Sequence, residues 1–251
     1  MLMLRSLLFY FGMAVLTIIF VLLSLLMYPL PFTLRFRIIS QWSVLNLHWL
    51  KLCCKLEHKV EGLENIPAEG AAIIMCKHQS AWETLALQVI FPPQVWVLKR
   101  ELLWIPIYGW GLAAMEPIAI DRGSASKALR QIVDQGCRRL AQGLWVVIFP
   151  EGTRTPAGER HKYQPGGGML ASKSGYPVIP VAHNSGYFWP RNSIRKLPGT
   201  INMVIGPAIE TRGKSAKQIS RETEDWIEST VARLPAKGLL IDQKQAGSTL
   251  D

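Results

Sequence analysis

From Ser6 to Leu34 no side chain is charged, and the stretch Leu7 to Tyr28, LLFYFGMAVLTIIFVLLSLLMY, is predominantly apolar over 22 residues. At about 1.5 Å per residue, a helix of this length covers the roughly 30 Å hydrocarbon core of a bilayer. A signal peptide would have a shorter apolar core, about 7–15 residues, ending in a small-residue cleavage site. Here the run is longer and YPLPF follows it. The pattern predicts an uncleaved membrane segment; a signal peptide and a buried globular helix are the other readings.

After Pro29 and Pro31 comes FTLRFRIISQWSVLNLHWLKLCCKL, in which apolar residues alternate with Arg35, Arg37, Lys51 and Lys55. Trp42 and Trp49 lie seven apart and share a helical face. An amphipathic helix in the headgroup layer fits this pattern. So do the return arm of a shallow hairpin and a helix that packs on the domain.

Beyond Glu57 short apolar runs alternate with helical stretches. AAIIMC (71–76), QVWVL (94–98), PIAI (117–120), LWVVIF (144–149), PVIPVA (177–182) and INMVIG (201–206) predict strands. Several are apolar throughout, as expected when helices cover both faces of a sheet. Helices are predicted near 80–91, 124–142, 166–175 and 215–233. The stretch RGSASKALRQIVDQGCRRLAQG has a serine start and a glycine stop. The expected fold is α/β, with a mostly parallel or mixed sheet flanked by helices and an N-terminal membrane-associating helix or helical hairpin. The expected divisions are 1–56 for membrane anchoring, 57–235 for the α/β domain and 236–251 for a loosely ordered tail.

Charge changes this picture in one respect. The 28 basic and 18 acidic residues give a net charge of +10. Basic charge beside a membrane segment favours an anionic lipid surface and a cytoplasmic face. Pro190 to Lys217 holds six basic residues against Glu210 alone. Nucleic acid is the rival explanation, but no helix-turn-helix, zinc-finger or RNA-binding signature is present, so no nucleic-acid partner is expected. Cys53, Cys54, Cys76 and Cys137 contain no C-x-x-C pair, so no metal site is expected and reduced thiols are the simplest reading.

Two polar clusters follow predicted strands, where α/β sheets bind ligands. One is KHQSAWET, with His78 and Glu83 five residues apart. On a continuous helix these would point about 140° apart. They can meet only if His78 precedes the helix. Glu83 then has two readings. With Ser80 it forms a capping-box spacing, or it accepts from one imidazole nitrogen and supports the other as a base. No G-x-S-x-G elbow is present, and Ser80 is too near His78 for a relay. A base without a protein nucleophile points to a substrate hydroxyl as the nucleophile. The second cluster is Phe149-Pro-Glu-Gly-Thr-Arg154. There Gly152 permits close backbone approach, Thr153 adds a hydroxyl, and Arg154 offers paired donors to a phosphate. A tight turn with a Glu151–Arg154 surface pair is the plainer reading.

Together these stretches resemble the glycerolipid acyltransferase family, in particular its bacterial 1-acyl-glycerol-3-phosphate branch. The family's His-x4-Asp block reads His78 to Glu83 here, with glutamate in place of the usual aspartate. GLAAMEPIAIDR, ending in Arg122, matches the second block; Phe149 to Arg154 matches F-P-E-G-T-R in full; VIPVA matches the fourth. KRELLWIPIYGWGL is also family-like, and the resemblance spans roughly residues 57–210. It implies His78 as base, Glu83 as its holder, and Arg122 and Arg154 on the acceptor's phosphate, with Lys99 and Arg100 as weaker candidates. Glu151, Gly152 and Thr153 would shape that loop. The acceptor would be 1-acyl-glycerol-3-phosphate or another lysolipid. The acyl donor would be acyl-CoA or acyl carrier protein, the latter a possible partner; no cofactor is expected. A bacterial inner (cytoplasmic) membrane location is implied. Trp104 and Trp110 would line an acyl channel, or pack in the core.

Overall fold

A computed structural model describes residues 1–121 and 123–236; Arg122 and residues 237–251 lie outside the described residues. The tail expected at 236–251 therefore falls outside them except for Ala236. The described residues contain seven strands: β1 (Leu56–Glu61), β2 (Ile73–Cys76), β3 (Gln94–Lys99), β4 (Ile118–Ile120), β5 (Trp145–Ile148), β6 (Val178–His183) and β7 (Gly199–Ile205). They form one mixed sheet in the order β1-β7-β6-β2-β5-β3-β4. Every neighbouring pair is parallel except β6 and β7. All six apolar runs become strands. Residues of β2, β5 and β6 are buried throughout, which accounts for their lack of alternation.

The strands are joined by α4 (Trp82–Ile90), α5 (Tyr108–Ala114), α6 (Ala125–Ala141) and α7 (Gly166–Ser174); α8 (Ala216–Arg233) follows β7. Helices α6, α7 and α8 lie side by side on one face. Gly136 of α6 packs against Leu170 of α7, Gly167 of α7 against Met75 of β2, and Gly168 against α8. On the other face, Trp82 of α4 meets His58 of β1 and His183 of β6.

The N-terminal segment is α1 (Leu2–Leu26), α2 (Phe32–Ile39) and α3 (Gln41–Cys54). Helix α1 is long and apolar enough to cross a membrane. The second segment is not one helix but two, turning at Ser40. Trp42 and Trp49 face α1, as a return arm requires. Their indole N–H groups donate to Thr17 Oγ1 at 3.2 Å and the Leu8 carbonyl at 3.3 Å. Phe9, Leu47 and Leu50 join the same core as the sheet. The opposite side of α1, including Leu4, Phe11, Ile18 and Leu22, is exposed and apolar.

A buried arginine fixes this hairpin to the domain. Arg35 pairs with Glu116, whose other oxygen accepts from Arg139 Nη1 at 2.7 Å. Arg35 Nη1 also donates to the Tyr28 carbonyl at 2.9 Å. Glu116→Ala leaves the Arg35 charge buried without its partner. The expected cost is about 2 kcal/mol, between that of an exposed pair and a fully buried one. A thermal melt in detergent reads it; an unchanged melting temperature would show that the pair does not hold the hairpin.

Candidate active site

The sheet order sets β6, β2 and β5 side by side and parallel. Their carboxyl ends therefore deliver three stretches, remote in sequence, to one rim: Lys77–Glu83 after β2, Phe149–Arg154 after β5, and Asn184–Ser185 after β6.

His78 lies before α4, in the strand-to-helix turn. Its Nδ1 is 2.8 Å from Glu83 Oε1. Oε1 also accepts the backbone N–H groups of Gln79 and Ser80, each at 2.8 Å. Oε2 accepts the hydroxyls of Ser80 at 2.7 Å and Ser185 at 3.1 Å. Helix α4 starts at Trp82, one residue later than a Ser80 cap requires, yet Ser80 Oγ still accepts the Trp82 N–H. Both readings of Glu83 thus coexist: it ties the first turn of α4 and orients the imidazole. The extra methylene of glutamate spans the interval without strain in the hydrogen bond.

Glu83 is fully buried. Burial alone would raise its pKa. The imidazole of His183, the bond and charge of His78, and Ser80 outweigh it and bring the group down to about 2. Burial lowers the pKa of His183 itself. His183 Nε2 donates to the Lys77 carbonyl at 2.7 Å, and its Nδ1 accepts from the Ser185 N–H at 3.4 Å. His183 and Ser185 escape sequence reading because they lie about a hundred residues from the histidine block; only the sheet order brings them together.

The His78 ring stacks on Phe149, with centroids 3.9 Å apart and planes inclined by 13°. With Nδ1 held by Glu83, Nε2 has no hydrogen-bond partner among the described residues. Glu151 joins the two clusters. Its Oε2 accepts the His78 backbone N–H at 2.8 Å, and its Oε1 lies 2.7 Å from Lys77 Nζ. Lys77 is fully buried, and its ammonium also reaches Glu228 of α8 at 2.8 Å. Glu228 accepts in turn from the Tyr163 hydroxyl at 3.0 Å. The Thr155 N–H closes the loop onto the His78 carbonyl at 2.7 Å. Glu151 is thus engaged by protein on both oxygens, and no surface pair with Arg154 forms. Gly152 has φ +70°, a conformation that side chains disfavour.

His78 opens onto a cavity of about 1120 Å³. Its wall runs from Met13 and Phe20 of α1, past α4 and α6, to Gly152, Thr153 and Arg154; Lys99 lines it as well. Among the described residues, no carboxylate lies within ion-pair distance of Lys99, Arg100 or Arg154. Arg122 lies outside the described residues. Trp104 and Trp110 correct the sequence expectation. They are 70% and 52% exposed and neither enters the cavity wall nor joins the core. Gly109 packs onto the Leu103 carbonyl, and this tight fold turns both indoles outward. Among the described residues, no group of three or more metal-ligating side chains converges.

Residues 57–184 match the family model described as Acyltransferase. The chain is 42% identical over 235 residues to 1-acyl-sn-glycerol-3-phosphate acyltransferase of Pseudomonas aeruginosa, covering 92% of this chain and 91% of that one. It is 30% identical to human 1-acyl-sn-glycerol-3-phosphate acyltransferase beta, covering 65% and 60% of the two chains. The crystal structure of the 1-acyl-sn-glycerophosphate acyltransferase PlsC from Thermotoga maritima superposes with a TM-score of 0.79 at 24% identity, covering 95% of this chain and 98% of that one, and so shares the fold.

Proposed function

The chain belongs to the Acyltransferase family, and from that premise we propose that it transfers a fatty-acyl group to the free hydroxyl of 1-acyl-glycerol-3-phosphate, giving phosphatidic acid. The observation that carries this reading is the His78–Glu83 pair at 2.8 Å opening onto a cavity that runs from α1 to Arg154.

His78 Nε2 takes the proton of the acceptor hydroxyl while Glu83, ionised and fully hydrogen-bonded, stabilises the imidazolium. The oxygen attacks the thioester carbonyl of acyl-CoA or acyl carrier protein. The tetrahedral centre collapses, the C–S bond breaks, and the leaving thiolate takes the proton from the imidazolium. No acyl-enzyme forms, because among the described residues no free side-chain nucleophile is bonded to the base. The hydroxyls of Ser80 and Ser185 both donate to Glu83. The protein contributes no cofactor to this step.

Arg154 and Lys99 receive the acceptor's phosphate, and Arg122 is assigned to the same group from the motif it ends. The apolar wall toward α1 takes the acyl chain. The exposed apolar side of α1, with Trp104 and Trp110, sits in the membrane, since indoles favour the headgroup level. The net positive charge favours an anionic surface, on the cytoplasmic face of the bacterial inner membrane.

An acceptor panel tests this reading. Purified protein should prefer 1-acylglycerol-3-phosphate over lysolipids with other headgroups. Arg154→Ala should raise KM for the phosphate-bearing acceptor about 10- to 100-fold, the scale of lost charge-assisted hydrogen bonds. An equal rise for monoacylglycerol would remove the phosphate from the assignment. A preference for another lysolipid would transfer the same chemistry to that acceptor.

A further inference from the structure

Beyond the motif residues, one more cation reaches the cavity. Arg191 belongs to the segment after β6, outside residues 57–184, and lines the same wall as His78 and Arg154. Its Nη1 donates to the Arg154 carbonyl at 2.9 Å. Both ends of its loop are buried against α1. Trp189 meets Phe9 edge-on, with centroids 5.3 Å apart. Lys196 donates its N–H to Ser6 Oγ at 2.9 Å and its ammonium to the Tyr10 hydroxyl at 2.6 Å. Packing at both ends of the segment and the bond to Arg154 together hold Arg191 at the cavity.

Arg154 and Arg191 thus both line the cavity, with the guanidinium of Arg191 resting on the Arg154 carbonyl. Among the described residues neither has a carboxylate partner. An anion lying between two such cations is attracted by both. A phosphate monoester carries about −1.5 to −2 near neutral pH and presents three acceptor oxygens, which matches two guanidiniums. A phosphodiester, with a single charge, matches one. Resting on the reading of Arg154 as a phosphate ligand, we propose that Arg191 is a specificity-determining residue: it completes the site for the acceptor's terminal phosphomonoester and selects it over diester headgroups. Arg195, four residues on, is exposed like Arg191 but does not line the cavity, and so takes no part.

The test measures KM and kcat of purified Arg191→Ala, Arg191→Lys, Arg195→Ala and Arg154→Ala, with 1-acylglycerol-3-phosphate, a lysophosphodiester and the acyl donor varied in turn. Arg191→Ala should raise KM for the phosphomonoester about tenfold, leave kcat within about twofold, and leave donor KM unchanged. Selectivity over the lysophosphodiester should fall by a similar factor. Arg191→Lys, keeping the charge without the planar fork, should recover part of the loss. Arg195→Ala should match the wild type. An unchanged acceptor KM in Arg191→Ala, alongside a raised one in Arg154→Ala, overturns the proposal and leaves the proposed function standing. So does a rise confined to the donor, which would assign Arg191 to the carrier's phosphates. An equal rise in Arg195→Ala would reduce the effect to general surface charge and also overturns it. If Arg154→Ala itself shows no phosphate dependence, the proposed function fails first.

Discussion

Replacing His78 with alanine is expected to lower acyl transfer about 100- to 10,000-fold, the contribution of a positioned base, while the protein remains folded and membrane-bound. The structure separates these outcomes. The turn is held through the His78 backbone, whose N–H meets Glu151 and whose carbonyl meets Thr155. Those bonds survive loss of the ring. What is lost structurally is the stacking contact with Phe149, on the order of 1 kcal/mol. Thiol release from an acyl thioester, a melting temperature and flotation with anionic vesicles measure the three properties. Turnover near wild type would refute the assignment of the base.

Glu83→Gln should come close to the same loss, about 1,000-fold in kcat, with little change in KM for either substrate. The carboxylate accepts five hydrogen bonds, from His78, Gln79, Ser80 twice and Ser185. An amide presents two donors among these donors, so the ring loses its orientation and the imidazolium its counter-charge. Glu83→Asp keeps the charge but shortens the reach, and roughly a tenfold loss is expected. The pH dependence has a definite sign. The folded pKa, about 2, lies below the ordinary value of 4.5. The ionised form therefore stabilises the fold above that ordinary range, and the contribution fades as pH falls from about 4.5 toward 2. Melting temperatures across this window should fall less steeply for Glu83→Gln than for the wild type. If both variants melt early yet turn over normally, Glu83 serves only to cap α4.

The chain discloses its central strands openly and its edges poorly. AAIIMC, LWVVIF and PVIPVA are legible because strands covered on both faces need no polar residue. LEHKVE, which becomes β1, is an edge strand exposed along most of its length, and its polar residues hide it. Helix α5 is short and contains two glycines, so its periodicity never builds up. In the site, the His78–Glu83 contact follows from the spacing, because the partners are close in sequence. Ser185, His183, Glu228 and Arg191 do not, because strand order or helix packing places each of them. The two outward tryptophans illustrate the same limit: spacing marks a bulky apolar stretch but not which way a tight turn sends it.

The Lys77 ammonium has one further consequence. It is shared between Glu151 in the loop after β5 and Glu228 of α8. A version of the protein ending before residue 216 would keep every motif residue. It would nonetheless strip one of two counter-ions from a lysine sealed in the interior, next to the base. Minimal catalytic fragments cut at the edge of the motif blocks would thus be unmoored at their own centre, and any shortened form intended for crystallisation or expression has to carry α8 whole.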